Sequence, residues 1–383
     1  MRIAIVTTEF PALSETFISN KVKALAARGH IIRVFTGKKN KSLSNQLFTD
    51  VTAVSVCEST IKKAVTFNVT HPVQLVKSIV EKNRKKYLFQ SFQLHYINQF
   101  KPDIIHFEFS GIGVDYLLLL PKISCKKVVS CRGSAEKIKL LVDPERKKDF
   151  TKLVQKVDAI HCVSNDMRET VKDYVNVKKT FINYPSIDAQ FFDRTTPYQM
   201  NSIPIIISVG RFIFPKNYLI GLLAMRQVAN KGKLFKWIIV ATGPQYEEIV
   251  FHIQQLHLQN YVELVGSKTS YEIKELLEKA DIFLLSSVFE GIANAALEAM
   301  SMQLPVVSTT CGGMPEVITC GKHGLLAGVY DYEQLATHIE NLINHPSEAK
   351  AMGIAARKRI LEQFTLEQQI DKFEHIYKQL LIA

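Results

Sequence analysis

The sequence lacks any apolar run near the roughly 20 residues that a membrane-spanning helix needs. Its longest apolar stretches, such as residues 116–121, have the length of a strand or a short helix. The apolar start MRIAIVTTEF is interrupted by Glu9, too early for a secretory signal, and is typical of a buried first strand. From these absences we expect a cytoplasmic protein without a membrane span.

Cysteine is also sparse, and the six that occur form no CxxC pair and no metal-ligand spacing. We therefore expect reduced thiols. No GxGxxG fingerprint follows any predicted strand, which argues against a dinucleotide-dependent dehydrogenase. No DxD pair of carboxylates is present to hold a metal ion beside a diphosphate. The sequence thus predicts neither a cofactor nor a metal site.

Positive charge is present in excess but is confined to one half of the chain. The net charge is +12, and residues 1–195 carry 32 Lys and Arg against 18 Asp and Glu, while the remainder carries 16 against 18. No RNP, zinc-finger or helix-turn-helix signature accompanies the basic clusters at 82–86 and 146–148, so we predict no nucleic-acid partner. An anionic membrane surface or an anionic lipid-linked acceptor fits better. A merely solvated basic surface remains an open alternative.

Short apolar segments alternate with amphipathic segments, the pattern of parallel βαβ units. The predicted strands are 2–7, 31–36, 103–107, 127–130 and 159–163 in the first half, and 204–209, 237–241, 261–265, 281–285 and 306–308 in the second. The polar segment 193–202, which contains a proline, has the composition of a linker. We therefore predict an α/β protein of two Rossmann-like, doubly wound domains, 1–195 and 203–365, that face each other across a cleft, followed by a helix at 366–383.

Two carboxylates, Glu290 and Glu298, lie eight positions apart in SSVFEGIANAALEAMSMQLPVV. This stretch reads as strand end, loop, helix and next strand, where a parallel sheet presents backbone N–H groups to an anionic ligand. Gly291 allows a ligand to approach the backbone. Because carboxylates repel phosphates, the pair would serve sugar or ribose hydroxyls. The alternative is that both are solvated surface charges.

A basic pair follows the first strand of the second half, in SVGRFIFPKN. Arg211 can bind two phosphate oxygens at once, and Lys216 supplies a compact charge, so the pair suits a diphosphate. Basic loops beyond strands are also common on surfaces, so the motif by itself does not establish a phosphate site. Gly243 and Gly266 end the next two strands, where ordinary strand-to-helix turns explain them equally well.

The segment SxxEGxxNxxLEAMxxxxPVV, continued by GGMPEVI, closely resembles the signature of retaining glycosyltransferases of family 4, the group 1 transferases with a GT-B fold. SVGRFIFPKN is similar to the family's VGRLxxxKG segment, with Asn217 in place of glycine. Residues 10–18, FPALSETFI, resemble a segment of colanic-acid-type members. In a GT-B protein the final helix would cross back to the first domain.

The resemblance implies a role for each matching residue on the donor side. Glu290 would contact the transferred sugar and Glu298 the ribose, while Arg211 and Lys216 would hold the donor diphosphate. The remaining donor-binding positions are Gly291, Ile292 and Ala293, where backbone amides would face the phosphates, Asn294 at the start of the helix, Gly210 just beyond a strand, and Gly243 near the nucleotide.

The acceptor side is less well marked. Ser14, Glu15 and Thr16 are candidate acceptor or sugar contacts, although Ser14 is also explained as a helix cap. In CRGS, Arg132 stands where the family has a histidine, and an arginine cannot serve as a general base. It could bind a phosphate or an acidic sugar instead. His106, near a strand end in DIIHFEF, is either a core histidine or a site residue.

The resemblance implies transfer of a hexosyl unit from a nucleoside diphosphate sugar to a hydroxyl of a lipid-linked glycan, with retention of anomeric configuration and without a metal. Its setting would be surface polysaccharide assembly, on the inner face of the cell membrane. The competing hypothesis is a catalytically silent protein that binds a sugar nucleotide or a polysaccharide.

Overall fold

The computed structural model describes residues 1–12, 15–40, 54–58, 66 and 84–382. The chain divides into two compact units. The first comprises Met1–Val163, Met167–Asn183 and Gln369–Ala383, and the second Ser164–Asp166 and Tyr184–Gln368.

The first unit is built on seven parallel strands in the order β3-β2-β1-β4-β5-β6-β7. The strands are β1 (Arg2–Phe10), β2 (Ile31–Lys39), β3 (Val54–Glu58), β4 (Ile104–Phe107), β5 (Lys126–Cys131), β6 (Ala159–Cys162) and β7 (Thr180–Ile182). The helices are α1 (Thr16–Ala27), α2 (Arg84–Phe100), α3 (Ser110–Asp115), α4 (Ser134–Lys137), α5 (Lys139–Val142), α6 (Pro144–Lys156) and α7 (Asn165–Val171). The central strands are buried on both faces, as a parallel sheet covered by helices requires.

The second unit has six parallel strands in the order β10-β9-β8-β11-β12-β13. The strands are β8 (Ile205–Arg211), β9 (Lys236–Thr242), β10 (Val262–Leu264), β11 (Ile282–Leu285), β12 (Val306–Thr309) and β13 (Gly324–Ala327). The helices are α8 (Tyr218–Asn230), α9 (Tyr246–Gln255), α10 (Ser270–Lys279), α11 (Asn294–Ser301), α12 (Met314–Val317), α13 (Tyr332–Asn344) and α14 (Pro346–Gln363). A last helix, α15 (Leu366–Ile382), ends the chain.

The prediction of two doubly wound parallel sheets is confirmed, and each of the ten predicted strands overlaps an observed one. Three observed strands were not predicted, namely β3, β7 and β13. All three lie at the edge of a sheet. An edge strand is covered on fewer sides than a central one, so its sequence carries a weaker apolar signal.

The segment expected to be the linker, 193–202, lies inside the second unit, which already begins at Tyr184. Its polar side chains and amides are bound there. Glu278 accepts hydrogen bonds from the amides and hydroxyls of Thr195 and Thr196. Tyr198 donates its hydroxyl to the carbonyl of Asp281 at 3.0 Å. Polar composition therefore marks a hydrogen-bonded surface segment here.

Helix α15 belongs to the first unit from Gln369 onwards. Its Phe373 and Tyr377 are fully buried there. The ring of Phe373 lies 4.0 Å from the ammonium of Lys21, a residue of α1 that is 1% exposed. Lys21 donates to Glu108 at 2.7 Å, and Glu108 is itself fully buried. The contact of α15 with this unit thus includes a cation held over an aromatic ring.

Replacement of Lys21 by methionine tests this buried charge. The variant leaves Glu108 with fewer partners inside the protein, and we expect a loss of about 3 kcal/mol in the free energy of unfolding. Urea denaturation measures it. The control is Lys152→Met, at a lysine that is half exposed and paired only with Asp149. Equal stability of the two variants would contradict a structural role for the buried ammonium.

Candidate functional site

The candidate site of the second unit lies where the strand order reverses, between β8 and β11. These two strands are neighbours, but their partners on the other side, β9 and β12, continue the sheet in opposite directions. Loops leaving the carboxyl ends of such strands separate and leave room for a ligand. Arg211 is the last residue of β8, Lys216 lies in the loop that follows, and Glu290 lies in the loop after β11. The topology therefore brings the two motifs to one edge of the sheet.

Lys216 and Glu290 form an ion pair, although 74 positions separate them. The Lys216 ammonium lies 2.6 Å from Oε1 of Glu290, and both side chains are about four-fifths buried or more, at 17% and 15% exposed. Ser287 donates its hydroxyl to the same oxygen at 2.8 Å. No described residue donates a hydrogen bond to the other carboxylate oxygen, Oε2, which leaves it available to a ligand. The pair thus brings together a cation suited to phosphate and a carboxylate suited to accept hydrogen bonds from hydroxyl groups.

The loop that carries Lys216 is fixed by the loop after β11. Residues Phe214–Lys216 form a single 3₁₀ turn. Ser286 donates its hydroxyl to the carbonyl of Lys216 at 3.2 Å, and the amide of Val288 donates to the carbonyl of Pro215 at 2.8 Å. Asn217 has a φ of 42° and a ψ of 55°, in the left-handed region. This conformation explains why glycine is usual there and why asparagine, which tolerates it, is accepted.

The Gly312 and Gly313 pair of the signature packs against the backbone of Glu290 and Gly291. Gly313 donates its amide to the carbonyl of Gly291 at 2.9 Å. A Cβ on Gly312 would overlap the carbonyl oxygen of Glu290, and one on Gly313 would overlap that of Gly291. The two glycines are therefore required by a close approach of backbones, in addition to the φ of 54° at Gly312.

Glu298, on α11, has a different environment from Glu290. Its side chain is largely buried, and no described residue donates a hydrogen bond or an ion pair to its carboxyl group. Burial raises the pKa of Glu298 to about 8. A buried carboxyl group without partners is costly, and hydroxyl donors from a ligand would satisfy it. The structure thus leaves at this position an acceptor that the protein itself does not use.

The remaining donor-side candidates lie at the same edge of the sheet. Arg211 is exposed and its guanidinium bonds to no described residue. Gly210 lies beneath the Lys216 side chain, where an added Cβ would come within 3.4 Å of its Cε atom. Gly243 approaches the backbone of Phe212, since an added Cβ would lie 2.5 Å from its carbonyl oxygen. Gly266, in contrast, has a φ of 72° and open space around it, so a turn is sufficient to explain it.

The start of α11 is mostly enclosed. Ile292 and Ala293 are 7% and 3% exposed, and Asn294 is the first helical residue. A ligand at this position would therefore meet backbone groups of Gly291, Ile292 and Ala293 rather than their side chains. This is compatible with the expected contact of backbone amides with phosphates.

Two further residues of the signature had no role in the sequence analysis. Ser287 is the serine of SxxEG, and its bond to Glu290 makes it a positioning residue. Glu316, in GGMPEVI, accepts the amides of Asn165 and Asp166, each at 2.9 Å, and the hydroxyl of Tyr184 at 3.1 Å. Both lie in motifs quoted above. Ser287 is only three positions from Glu290. The partners of Glu316 are more than 130 positions away, so spacing along the chain gave no sign of them.

In the first unit, His106 lies in the interior and not at an open surface. It is fully buried, with Nε2 2.8 Å from the hydroxyl of Ser130 and Nδ1 2.6 Å from that of Tyr377. Burial, with the charges of Lys21 and Arg132, lowers the pKa of His106 well below its usual value. These contacts are those of a core histidine, the first of its two sequence interpretations.

Arg132 follows β5 and is not free to move. Its Nη2 lies 2.6 Å from Oε2 of Glu108, its Nε donates to the carbonyl of Glu108 at 2.9 Å, and its guanidinium lies 4.5 Å from the ring centre of Phe17. The side chain is 13% exposed. An arginine thus occupies the position with its planar group fixed.

The other acceptor-side candidates are only partly described. Thr16 is the first residue of α1 and Glu15 precedes it as the cap, without a side-chain capping bond. Ser14, the predicted cap, lies outside the described residues. Within the described part of the chain, no group of three or more His, Cys, Asp or Glu side chains is arranged to hold a metal ion. No helix among those residues is both long and apolar enough to cross a membrane.

Replacement of Gly312 by alanine tests the close approach at Glu290. We expect a loss of about 1–3 kcal/mol in the free energy of unfolding from overpacking, beyond the cost of a positive φ. The matched control is Gly321→Ala, because Gly321 has a φ of 80° but nothing within 4 Å of an added Cβ. Urea denaturation of both variants separates the two costs. A Gly312 variant no less stable than the Gly321 variant would contradict the contact.

Replacement of Glu298 by glutamine tests its raised pKa. Between pH 4.5 and 8 the unfolded chain ionises this carboxyl while the folded protein keeps it protonated, so its destabilising effect grows over that interval. The stability of Glu298→Gln relative to the wild type should therefore rise by a few kcal/mol from pH 5 to pH 8. Urea denaturation across this range measures it, with the exposed Glu275→Gln as control. A difference independent of pH would refute the assignment.

Family models and relatives agree with the geometry. Residues 199–359 match the model described as glycosyl transferases group 1, and residues 14–191 match that of glycosyltransferase family 4. The amylovoran biosynthesis glycosyltransferase AmsK of Erwinia amylovora is 25% identical over 95% of this chain and 96% of its own length. The colanic acid biosynthesis glycosyltransferase WcaL of Salmonella typhimurium is 33% identical over 44% of this chain, and the match spans 43% of WcaL.

Solved structures show the same fold. Anabaena Alr3699/HepE in complex with UDP superposes with a TM-score of 0.80 over 99% of both chains, at 15% identity. Sucrose-phosphate synthase of Thermosynechococcus elongatus superposes with a TM-score of 0.79 over the full length of both, at 18% identity. The chain has the GT-B fold, and it belongs to the family 4, group 1 glycosyltransferases.

Proposed function

We propose that this glycosyltransferase moves a hexosyl unit from a nucleoside diphosphate sugar to a hydroxyl of a lipid-linked glycan, with retention of anomeric configuration, in surface polysaccharide biosynthesis. The observation that carries the proposal is the Lys216–Glu290 ion pair at the reversal of the second sheet. The names of AmsK and WcaL support the polysaccharide setting. The UDP and UDP-glucose complexes of HepE support a nucleotide-sugar donor.

The donor would bind by exchange of partners at this pair. In the free protein the Lys216 ammonium is neutralised by Glu290 at 2.6 Å. An arriving diphosphate offers Lys216 a stronger anion, and Arg211, which has no partner among the described residues, adds a second charge. Glu290 is then free to accept a hydrogen bond from a sugar hydroxyl, while Ser287 keeps it in place. Glu298 would accept the hydroxyls of the ribose.

Charge at the leaving group would be stabilised by this chain's own cations. Breaking the bond from the anomeric carbon to the diphosphate places negative charge on the leaving oxygen, near Lys216 and Arg211. These side chains supply the positive charge that a metal ion supplies in other transferases. The proposed reaction therefore uses no metal.

The acceptor proton needs a destination, and neither first-unit candidate among the described residues can serve as a base. His106 is enclosed by protein donors and acceptors, and Arg132 cannot accept a proton. We therefore favour a front-face mechanism. The acceptor hydroxyl attacks the anomeric carbon from the same face that the diphosphate leaves, and its proton passes to an oxygen of the leaving phosphate. A double displacement through Glu290 is less favoured, because the proposed role of this carboxylate is to accept a hydrogen bond from a hydroxyl of the transferred sugar.

The excess positive charge of the first half supports a site of action at an anionic membrane surface. Residues 1–195 hold the whole excess of Lys and Arg. Such a surface would bring the enzyme to a lipid-linked acceptor, and the attraction would weaken as salt screens it.

Retention is tested by product analysis. The protein is incubated with a panel of UDP- and GDP-sugars and a lipid-linked glycan acceptor, and the anomeric proton of the product is assigned by NMR. The new linkage should have the configuration of the donor. An inverted linkage would refute retention, and stoichiometric nucleotide binding without release of nucleoside diphosphate would favour the silent binding protein.

Replacement of Lys216 by glutamine tests its role toward the diphosphate. We expect kcat/KM to fall about 10²–10³-fold with the fold intact, since one preorganised cation at the leaving group is lost. The matched control is Lys236→Gln, because Lys236 and Glu263 form another Lys–Glu pair at 2.6 Å in the same unit, away from the loops of the site. Release of nucleoside diphosphate measures both. Equal rates in the two variants would remove Lys216 from the mechanism.

A further inference from the structure

The polar centre of the first unit contains more positive than negative charge. Glu108 is fully buried, and each of its oxygens is taken by a cation: Oε1 lies 2.7 Å from the Lys21 ammonium and Oε2 lies 2.6 Å from Nη2 of Arg132. One carboxylate therefore faces two cations. A partly enclosed excess charge is unfavourable unless an anion is added.

Arg132 keeps one edge of its guanidinium unused. Nε and Nη2 both donate to Glu108, and the plane is held against Phe17. Nη1 donates to no described residue. It is also not one of the buried polar atoms left without a hydrogen bond, so it is not sealed off from solvent. Two N–H groups therefore remain for a ligand, in an orientation that the other contacts fix. A preoriented guanidinium of this kind suits a carboxylate or a phosphate.

Arg146 is a second guanidinium at the same end of the sheet. Its Nη2 donates to the hydroxyl of Ser110 at 2.5 Å, and among the described residues no carboxylate lies within ion-pair distance of it. The Ser110 hydroxyl also bonds to Glu136, whose other oxygen accepts the amides of Arg132 and Gly133. Arg146 joins this group through its guanidinium and Arg132 through its backbone amide, so both residues lie beside the side chains that follow β4 and β5.

Glu136 does not cancel this excess fully. Its carboxyl group is 2% exposed, and burial raises its pKa above the usual value. Its hydrogen-bonding capacity is also occupied by Ser110 and the two backbone amides. Arg146 is also the first residue of the basic cluster 146–148.

We propose that Arg132 and Arg146 form an oxyanion subsite of the first unit that binds an acidic group of the glycan acceptor. The proposal rests on the proposed transferase function and narrows its acceptor to a glycan that bears a carboxylate or a phosphate. Arg132, at the position where the family has a histidine, is then a specificity residue. Its two free N–H groups take one or both oxygens of the anion, and Arg146 supplies the second charge.

The test uses small probes on the full chain. Methyl glucuronide and methyl glucoside differ only in the carboxylate, and inorganic phosphate represents the other source of an oxyanion. Binding is measured by NMR or calorimetry for the wild type, Arg132→Gln, Arg146→Gln and the control Lys152→Gln. Methyl glucuronide should bind more tightly than methyl glucoside, and each arginine substitution should weaken it by about tenfold or more, as expected for a charge-assisted hydrogen bond.

The probes distinguish the source of the oxyanion. Saturable phosphate binding that depends on the two arginines, without preference for the glucuronide, assigns the subsite to a phosphate. Binding that is unchanged in both variants, or no saturable binding of either anion, overturns the proposal. Arg132→Gln removes a partner of buried Glu108 and can cost stability. Arg146→Gln leaves both partners of Glu108 in place. If Arg132→Gln fails to fold, the binding result for Arg146→Gln therefore decides the test.

The donor side is followed separately in the same proteins. UDP and GDP binding should be unaffected by the substitutions at Arg132 and Arg146, which lie outside the second unit. If the wild type binds neither nucleotide, the proposed function is wrong, whatever the anion does. If it binds a nucleotide but neither anion, only the oxyanion subsite is refuted.

Discussion

The close contact between two backbone turns holds the candidate donor site together. The turn after β12 packs its Gly312 and Gly313 onto the backbone of Glu290 and Gly291, with a hydrogen bond from Gly313 to Gly291. No side chain fits between them. Because the turn is tight, the backbone position from which the Glu290 side chain extends is fixed. Ser287 and Lys216 can therefore both bind one of its carboxylate oxygens. The position of the basic loop after β8 depends on the same turn, through Val288 and Ser286.

The two carboxylates of the signature are held in opposite states. Glu290 is paired with a lysine and a serine, so its charge is balanced in the free protein. Glu298 is partly buried, no described residue donates a hydrogen bond to its carboxyl group, and burial raises its pKa to about 8. A ligand hydroxyl would therefore gain more binding free energy at Glu298, where the carboxyl group lacks a hydrogen-bond partner among the described residues. At Glu290 the carboxylate becomes available to a hydroxyl only when Lys216 binds another anion.

Charge is arranged differently in the first unit. There Lys21 and Glu108 are buried, and together with Arg132 they form one connected ionic group with His106 beside it. Such a group fixes the arginine but leaves a net positive charge, which is the basis of the proposed oxyanion subsite. The histidine that sequence inspection offered as a site residue is part of the interior, because β4 alternates its side chains between two covered faces and exposes neither.

Local sequence patterns were sufficient to predict the fold class and the central strands, and they suggested the roles of the donor motifs. Apolar runs of strand length, the βαβ order and the residues of SxxEGxxNxxLE are local properties, and local patterns survive in any arrangement of the chain. Edge strands such as β7 escaped, since partial burial weakens the pattern. The folded structure was needed to show that Lys216 meets Glu290 across 74 positions and that Arg132 is bound by Glu108. It was also needed to show that no described residue donates a hydrogen bond to Glu298. Pairings of this kind depend on which loops lie at the same edge of a sheet, and the number of residues between two positions does not give their distance in space.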